Sequence, residues 1–227
     1  MIQKDGLING RVYPKRHFVF LTLANYSLIA LSSAVEALRM ANRVAEQEAY
    51  SWTIATVDGS VASASNGLTL SPTCKLENAL PADIVFVCGG VNVEHATTPE
   101  LLAALRSLER QGIALGSLCT GGYALAKAGL LDKYKAVVHW ENMSSLREEF
   151  PRVIYSDQVF SIDRNRYTCS GGVAPLDLML NIIKLDMGKD VAPRISEQFI
   201  VDRIRSDQDR QHIPLQVRVG LYHENLI

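Results

Sequence analysis

A thiol at a strand-to-helix turn is the group in this chain best suited to chemistry. Cys119 lies between an apolar β-type run that starts at Ile113 and a helical pattern over residues 123–131. Such a turn exposes its side chain and directs the N-terminus of the next helix at it, which favours an anionic sulfur. A second strand-like run, 136–138, ends at His139, so an imidazole is expected at the same rim. The pattern indicates either a catalytic dyad or a pocket that only binds.

The loop after another strand-like run brings further polar groups to this rim. Gly89 and Gly90 follow the apolar run 83–88. Without side chains, their backbone N–H groups can approach an anion, as an oxyanion hole or a carboxylate seat. Asn92 and Glu94 lie in the same loop, and the sequence leaves open whether they face a ligand or solvent. The glycine pair also has a simpler interpretation, which is a turn.

Each residue around the thiol has a structural alternative. Buried free cysteine is common in proteins, and a lone histidine such as His139 is more often a hydrogen-bonded structural residue. Trp140 is interpreted either as a core residue or as an aromatic wall of the pocket. For Glu141 we favour a role at the N-terminus of the next helix, where an acid is stabilising.

Composition limits the classes of protein to which the chain can belong. With 227 residues, 48% hydrophobic and 21% charged, it fits one large domain with a real core, or one domain and an appendage. A net charge of −1 gives this chain no overall attraction to nucleic acid or anionic membranes. No apolar run is long enough to span a bilayer and no signal-peptide pattern is present, so a cytoplasmic protein without membrane contacts is expected.

The four cysteines show neither a CxxC pair nor the spacing of a metal site. Free thiols are therefore expected, and neither a metal ion nor a cofactor is predicted.

Strand-like runs alternate with helical patterns through the first 150 residues. Strands are predicted over 17–24, 52–57, 68–70 and 83–88, and helices begin near Leu28 and Pro99. Several of these strands are apolar on both faces, which is typical of a parallel sheet covered by helices on both sides. The expected fold is a doubly wound α/β sandwich, whose ligands bind beyond the carboxyl ends of the strands.

The order of elements changes after residue 151. A β-hairpin is predicted with strands over 159–162 and 166–169, followed by a helix that Ser170 caps and that ends near Gly188. A further helix is predicted over 191–205, and residues 206–212 are polar, as in a linker. The chain then stops inside an apolar helical pattern at 221–227. We expect from this that the sequence is cut from a longer protein.

Three motifs together resemble a known domain family. Residues 116–121, then Ala128-Gly129-Leu130-Leu131-Asp132, then His139-Trp140-Glu141 are similar to the ThiJ/PfpI type of class I glutamine amidotransferase-like domain. The segments 195–205 and 209–211 resemble the tail of the version found as the sensor half of AraC-family transcriptional regulators. The resemblance covers about residues 15–220, and the tail makes it more specific than the elbow alone.

This resemblance implies a flavodoxin-like three-layer sandwich that forms a homodimer. Residues 1–205 would be the ligand-sensing domain, and 206–227 a linker and the start of a truncated helix-turn-helix domain that binds promoter DNA. Relatives of this subtype sense small nitrogen metabolites such as arginine, carnitine or betaines and control catabolic genes. A small-molecule effector of that class is therefore expected.

One departure from the family pattern weakens an enzymatic interpretation. Enzymes and redox sensors of the superfamily carry an acid early in the first helix, against the elbow cysteine, where this chain has Ala30; the nearest acid is Glu36. Without that carboxyl group, a proton relay and a stabilised cysteine sulfinate both lack a member. We therefore expect no catalytic residues. The alternative is a cysteine-dependent amidase, hydratase or deglycase, with Cys119 as nucleophile and His139 as base.

The resemblance and the strand ends together predict a ligand site. Backbone amides of Gly89 and Gly90 and those after Cys119 would hold a carboxylate. Trp140 with Tyr26 or Tyr123 would form a cation-π wall. Glu94 or Glu141 would pair with an amine or guanidinium. The predicted ligand-binding set is Gly89, Gly90, Asn92, Cys119, Thr120, Tyr123, His139, Trp140 and Glu141.

Overall fold

The computed structural model describes residues 12–71 and 73–213. In that part of the chain the strands are β1 Arg16–Thr22, β2 Tyr50–Thr56, β3 Cys74–Lys75, β4 Ile84–Cys88, β5 Ala114–Leu118, β6 Lys135–Val137, β7 Ile154–Ser156, β8 Phe160–Asp163 and β9 Arg166–Cys169. The helices are α1 Leu28–Ala45, α2 Val93–Ala96, α3 Pro99–Arg110, α4 Gly122–Lys127, α5 Met143–Glu149, α6 Ala174–Met187 and α7 Val191–Phe199.

Seven strands form one central sheet in the order β3-β2-β1-β4-β5-β9-β8. Every pair in it is parallel except β8 and β9, which form the predicted antiparallel hairpin. Strands β6 and β7 pair with each other in a separate small sheet. The mostly parallel, doubly wound α/β fold expected from the sequence is confirmed.

Two apolar layers cover the two faces of the sheet. Along β1 the side chains of Phe18 and Phe20 pack into one layer with α1 and α6, and those of Val19 and Leu21 pack into the other with α3 and α4. All four are fully buried. Burial on both faces is the physical reason why this strand is a continuous apolar run rather than an alternating one.

The functional edge of the sheet is set by the register of β4 and β5. Cys88, the last residue of β4, pairs with Leu118, the last residue of β5. The loop that starts at Gly89 and the turn that starts at Cys119 therefore leave the sheet side by side. Helix α1 begins close to the same edge, because Ser27 N donates to the Gly89 carbonyl oxygen at 3.0 Å.

The prediction of a short strand over 68–70 is wrong. Thr69 forms only an isolated bridge with Ser63, and Ala64 N donates to the Leu68 carbonyl oxygen at 2.8 Å. The segment closes a small loop on itself, with Gly67 in the left-handed region at φ +84°. Its backbone groups are thereby used locally and do not add to the sheet.

Two predicted helix boundaries also differ from the structure. Helix α6 begins at Ala174 instead of after Ser170, whose hydroxyl donates to the Val159 carbonyl oxygen at 3.2 Å. Helix α7 ends at Phe199 instead of Arg205, because Ile200 adopts the left-handed conformation at φ 55°. Apolar spacing predicted that these helices exist, but it does not indicate the backbone conformations at which they start and end.

Within the described residues, no helix combines the length and apolar content that a bilayer span requires. The predicted start of a helix-turn-helix domain at 214–227 lies outside the described residues.

Candidate functional site: a cavity at the cysteine turn

Cys119 occupies a strained turn at the end of β5. It begins a 3₁₀ turn, Cys119–Gly121, that leads directly into α4. Its φ of +58° lies in the left-handed region, which costs free energy for a residue with a Cβ atom. The strand-turn-helix geometry predicted from the sequence is therefore present, and the turn places Sγ at the edge of the sheet.

The thiol is not set up as an activated nucleophile. Burial raises the pKa of Cys119 above its ordinary value, and Glu141 raises it further, against a lowering contribution from the Thr120 N–H. Only 9% of the residue is exposed. Because the thiolate is the reactive form, a raised pKa keeps the sulfur in its unreactive protonated state at neutral pH.

His139 and Cys119 both lie against Gly171, in the connection between β9 and α6. A Cβ atom on Gly171 would lie 2.7 Å from Cδ2 of His139 and 3.0 Å from Sγ of Cys119. Only glycine fits this close approach without moving one of them. The other side of the imidazole faces Glu141, whose Oε2 is 3.6 Å from Nδ1 of His139. That carboxylate is 63% exposed, so the contact orients the ring weakly.

Helix α1 brings no carboxylate to the thiol. Ala30 is buried in the same apolar cluster as Cys119, and the first turn of α1 contains no acid. Glu36 pairs instead with Arg39 on the same helix, at 2.6 Å. The first turn of α1 therefore packs a methyl group, and no acid, into the cluster that contains Cys119.

A cavity of about 450 Å³ opens over this turn. It lies between the start of α1, the loop after β4, the cysteine turn and the turn after β6. The residues that line it are Ser27, Ser65, Gly90, Val91, Asn92, Val93, Glu94, His95, Cys119, Thr120, His139, Glu141 and Asn142. Six of the nine residues in the predicted ligand-binding set are among them.

Gly89 and Tyr123, two other members of that set, lie outside this lining. Gly89 has its backbone engaged in the fold, because its N–H donates to the Leu118 carbonyl oxygen at 3.2 Å. Tyr123 lies on α4, where its ring packs edge-on against Phe150 and its hydroxyl donates to Glu149 at 3.3 Å. We therefore leave both out of the proposed site.

The geometry does not support the aromatic wall expected for a cation. Trp140, the third member outside the lining, packs beside His139 with 5.6 Å between ring centroids, and it lines a separate, smaller cavity. Tyr26 is 1% exposed and buried in the core. No Trp, Tyr or Phe side chain belongs to the described lining of the main cavity, so a cation there has to be held by other groups.

The lining contains several residues that the sequence analysis missed. Ser27 was noticed only as a possible cap, although it follows β1 at the same sheet edge, and that position was the available signal. Asn142 directly follows His139-Trp140-Glu141, and that neighbourhood was the available signal. Ser65 comes from a loop whose local sequence gives no indication of a site, so long-range folding alone brings it there.

The charge of the cavity is negative. Its described lining includes the carboxylates of Glu94 and Glu141 and no lysine or arginine. The start of α1 provides the opposite polarity, because Ser27 makes no side-chain capping bond and helix N-termini favour anions. A zwitterion fits such an arrangement. In the part of the chain that the structure describes, no cluster of His, Cys, Asp or Glu is suited to hold a metal ion.

A protein-family model and individual proteins match this chain. The model of the DJ-1/PfpI family matches residues 17–185. The HTH-type transcriptional regulator GbdR of Pseudomonas aeruginosa is 48% identical over 201 residues, which are 88% of this chain and 55% of GbdR. The HTH-type transcriptional regulator CdhR of the same species is 39% identical over 210 residues, 92% of this chain and 62% of CdhR. The chain thus spans somewhat more than half the length of these relatives.

A solved structure matches as well. The crystal structure of an AraC family transcriptional regulator from Pseudomonas putida superimposes with a TM-score of 0.75 at 28% sequence identity. The match covers 81% of this chain and 99% of that one.

Proposed function

The chain belongs to the DJ-1/PfpI family, and we propose that it is the effector-sensing part of a transcriptional regulator and not an enzyme. The observation that carries this proposal is the site itself: a polar cavity of about 450 Å³ beside a buried cysteine. That cysteine has a raised pKa and no acid from α1 beside it. Such a site is suited to bind a small molecule without transforming it. The similarity to HTH-type transcriptional regulators supports a regulatory role.

The effector that we propose is a small zwitterion with a quaternary ammonium or guanidinium group, such as a betaine, carnitine or arginine. Glu94 and Glu141 would neutralise the cation in the absence of an aromatic wall. The carboxylate would lie toward Ser27 at the start of α1 and the amide of Asn92. Thr120 is less available as a donor, because its hydroxyl already donates to the Gly90 carbonyl oxygen at 2.7 Å.

A thermal-shift titration with glycine betaine, carnitine and arginine tests this proposal. A ligand at a hundred times its Kd stabilises the folded state by about 2.7 kcal/mol, which is readily measured. Glu94→Gln and Glu141→Gln are each expected to weaken binding by about tenfold, since each removes an attraction between opposite charges that at about 4 Å amounts to about 1 kcal/mol in bulk water and about 4 kcal/mol near a protein surface. Glu148→Gln, on the exposed side of α5, is the matched control and leaves the affinity unchanged.

A regulatory response has to be measured on the full-length protein. We propose that effector binding alters promoter binding by a DNA-binding part, as the names of the relatives suggest, and that the protein acts as a homodimer. Promoter binding by the full-length protein with and without effector, together with light scattering for mass, tests both statements. A monomer, or DNA binding that never responds to a ligand stabilising the domain, contradicts them.

A cysteine-dependent enzyme is the second candidate, and the strained φ of +58° at Cys119 is the observation that favours it. Nucleophilic cysteines on such turns need a lowered pKa and a base. Turnover of an amide, isonitrile or glycated substrate that disappears in both Cys119→Ala and His139→Ala would establish it. Binding that survives Cys119→Ala without any product supports the sensor instead.

A further inference from the structure

Residues 206–213, of which 206–212 were expected from their polar sequence to form a linker, lie back against the domain beside the effector cavity. We call this segment the strap. Val159 N donates to the Asp209 carbonyl oxygen at 2.9 Å, and Gln211 N donates to the Asp157 carbonyl oxygen at 2.8 Å. Gln158 and Arg210 complete an isolated antiparallel bridge between them. The strap is therefore held by backbone pairing next to β8.

The side chain of Gln211 fixes the strap to the turn that carries His139. Its Nε2 donates to the carbonyl oxygens of Val138 at 3.0 Å and Gln158 at 3.1 Å. Its Oε1 accepts from Trp140 N at 3.0 Å. The amide group thus bonds to the backbone immediately before and immediately after His139, and it uses both its donor and its acceptor capacity.

His139 is shared between two cavities. It lines the effector cavity, and it also lines a smaller cavity of about 190 Å³ together with Gln211 and His212 of the strap. A ligand that touches the imidazole therefore acts on the residue between the two backbone groups that Gln211 holds. Contact is continuous from the effector cavity to the strap through a single turn.

The upstream end of the strap is anchored separately. Asp177 on α6 is 4% exposed and accepts from the backbone N of Arg205 at 2.7 Å and from its Nε at 2.8 Å. This buried ion pair holds the chain just before the strap begins. The chain is therefore fixed at Arg205 before it reaches the His139 turn.

We propose that the strap transmits effector binding to the part of the chain that follows residue 213, and that Gln211 is the residue that couples occupancy of the cavity to docking of the strap. The inference rests on the proposed function. The docked strap holds the His139 turn in place for the effector, and the bound effector in turn holds the strap docked. Because coupling between two binding events is reciprocal, loosening the strap weakens effector binding by the same factor as an absent effector loosens the strap.

Hydrogen exchange and calorimetry on the same protein test this coupling. In the native chain, saturation with whichever of glycine betaine, carnitine or arginine binds is expected to slow exchange of the Val159 and Gln211 amides at least fivefold. Gln211→Ala is expected to raise the Kd of that compound at least fivefold and to abolish the protection. Gln208 is an exposed glutamine on the same strap. Gln208→Ala is expected to change the Kd less than twofold and to retain the protection of the Val159 and Gln211 amides.

Gln211→Glu provides a second variant, because it keeps the size of the side chain while losing both donated hydrogen bonds. It is expected to behave like Gln211→Ala, with circular dichroism unchanged from the native chain. Tight effector binding with unaltered strap exchange, or equal Kd values in native and Gln211 variants, overturns the coupling and leaves the proposed function intact. If none of the three compounds binds the native chain, the proposed function fails first and the strap proposal falls with it.

Discussion

At the scale of single residues, a strained turn carries the cysteine for which we propose a role in binding and not in catalysis. Cys119 keeps the strained turn, but burial keeps its thiol protonated. Ala30 contributes a methyl group to the buried cluster that contains Cys119, and the first turn of α1 has no acid. These residue identities were readable from the sequence, and Ala30 was the sequence argument against catalysis. The direction in which Tyr123 and Trp140 point was not, because it depends on packing between elements that are distant in the chain.

The raised pKa of Cys119 gives a prediction for its reactivity. Thiolate fraction controls alkylation, so iodoacetamide is expected to label Cys119 more slowly than free cysteine at pH 7.5 and to accelerate only above the ordinary thiol range. Peptide mass spectrometry follows the site, and Cys119→Ala assigns the signal. Rapid labelling that levels off below pH 7 would show an activated thiolate and revive the enzyme interpretation.

At the scale of elements, the site is built where β4, β5 and α1 meet. The sequence predicted β1, β4 and the β8–β9 hairpin because their apolar runs are continuous or alternate cleanly. The start of α6 at Ala174 was missed, because Gly171 lies against Cys119 and Gly172 adopts a left-handed φ of +63°, and a local apolar pattern shows neither. The strap was taken for a free linker for a similar reason. Polar sequence does not reveal that Gln211 finds three backbone partners.

Close packing of loops at this edge predicts the effect of Gly90→Ala. A methyl group on Gly90 would overlap the Asn25 carbonyl oxygen, so the loop before α1 has to shift. We expect a loss of about 1–3 kcal/mol in the free energy of unfolding, typical of overpacking, and weaker effector binding. Urea denaturation and calorimetry measure the two effects. The exposed variant Val61→Ala is the control and stays within about 0.5 kcal/mol of the native chain. A Gly90→Ala protein as stable as that control would contradict this geometry.

At the scale of the whole molecule, a two-layered core surrounds several buried groups that ionise only at alkaline pH. Burial raises the pKa of the Cys88 and Cys169 thiols and of the Tyr50 hydroxyl above their ordinary values. These groups belong to the layer between the sheet and helices α1 and α6. The burial that stabilises the core also keeps the Cys119 thiol protonated, so the packing of the fold sets the protonation state of the thiol in the site.

This burial predicts how stability depends on pH. A group whose folded pKa is raised contributes stability that is fully present below its unfolded pKa and is lost as the pH rises above it. For the thiols, loss is expected from about pH 8.5 upward, at up to about 1.4 kcal/mol per pH unit for each buried cysteine. Urea midpoints between pH 7 and 10 measure it. Cys88→Ala is expected to flatten the decline of the urea midpoint with pH, whereas Cys74→Ala on β3 is not. Equal slopes of urea midpoint against pH in the two variants would contradict the assignment of this decline to the buried Cys88 thiol.

We propose above all that this cavity binds a small zwitterionic effector and leaves it unchanged. The most direct measurement combines titration calorimetry with one-dimensional NMR of the same sample over a day, using glycine betaine, carnitine and arginine. We expect saturable binding of at least one compound that Glu141→Gln weakens about tenfold through the loss of a charge–charge attraction, with the ligand spectrum unaltered throughout. Consumption of the ligand by the native chain, abolished by Cys119→Ala, would contradict the account.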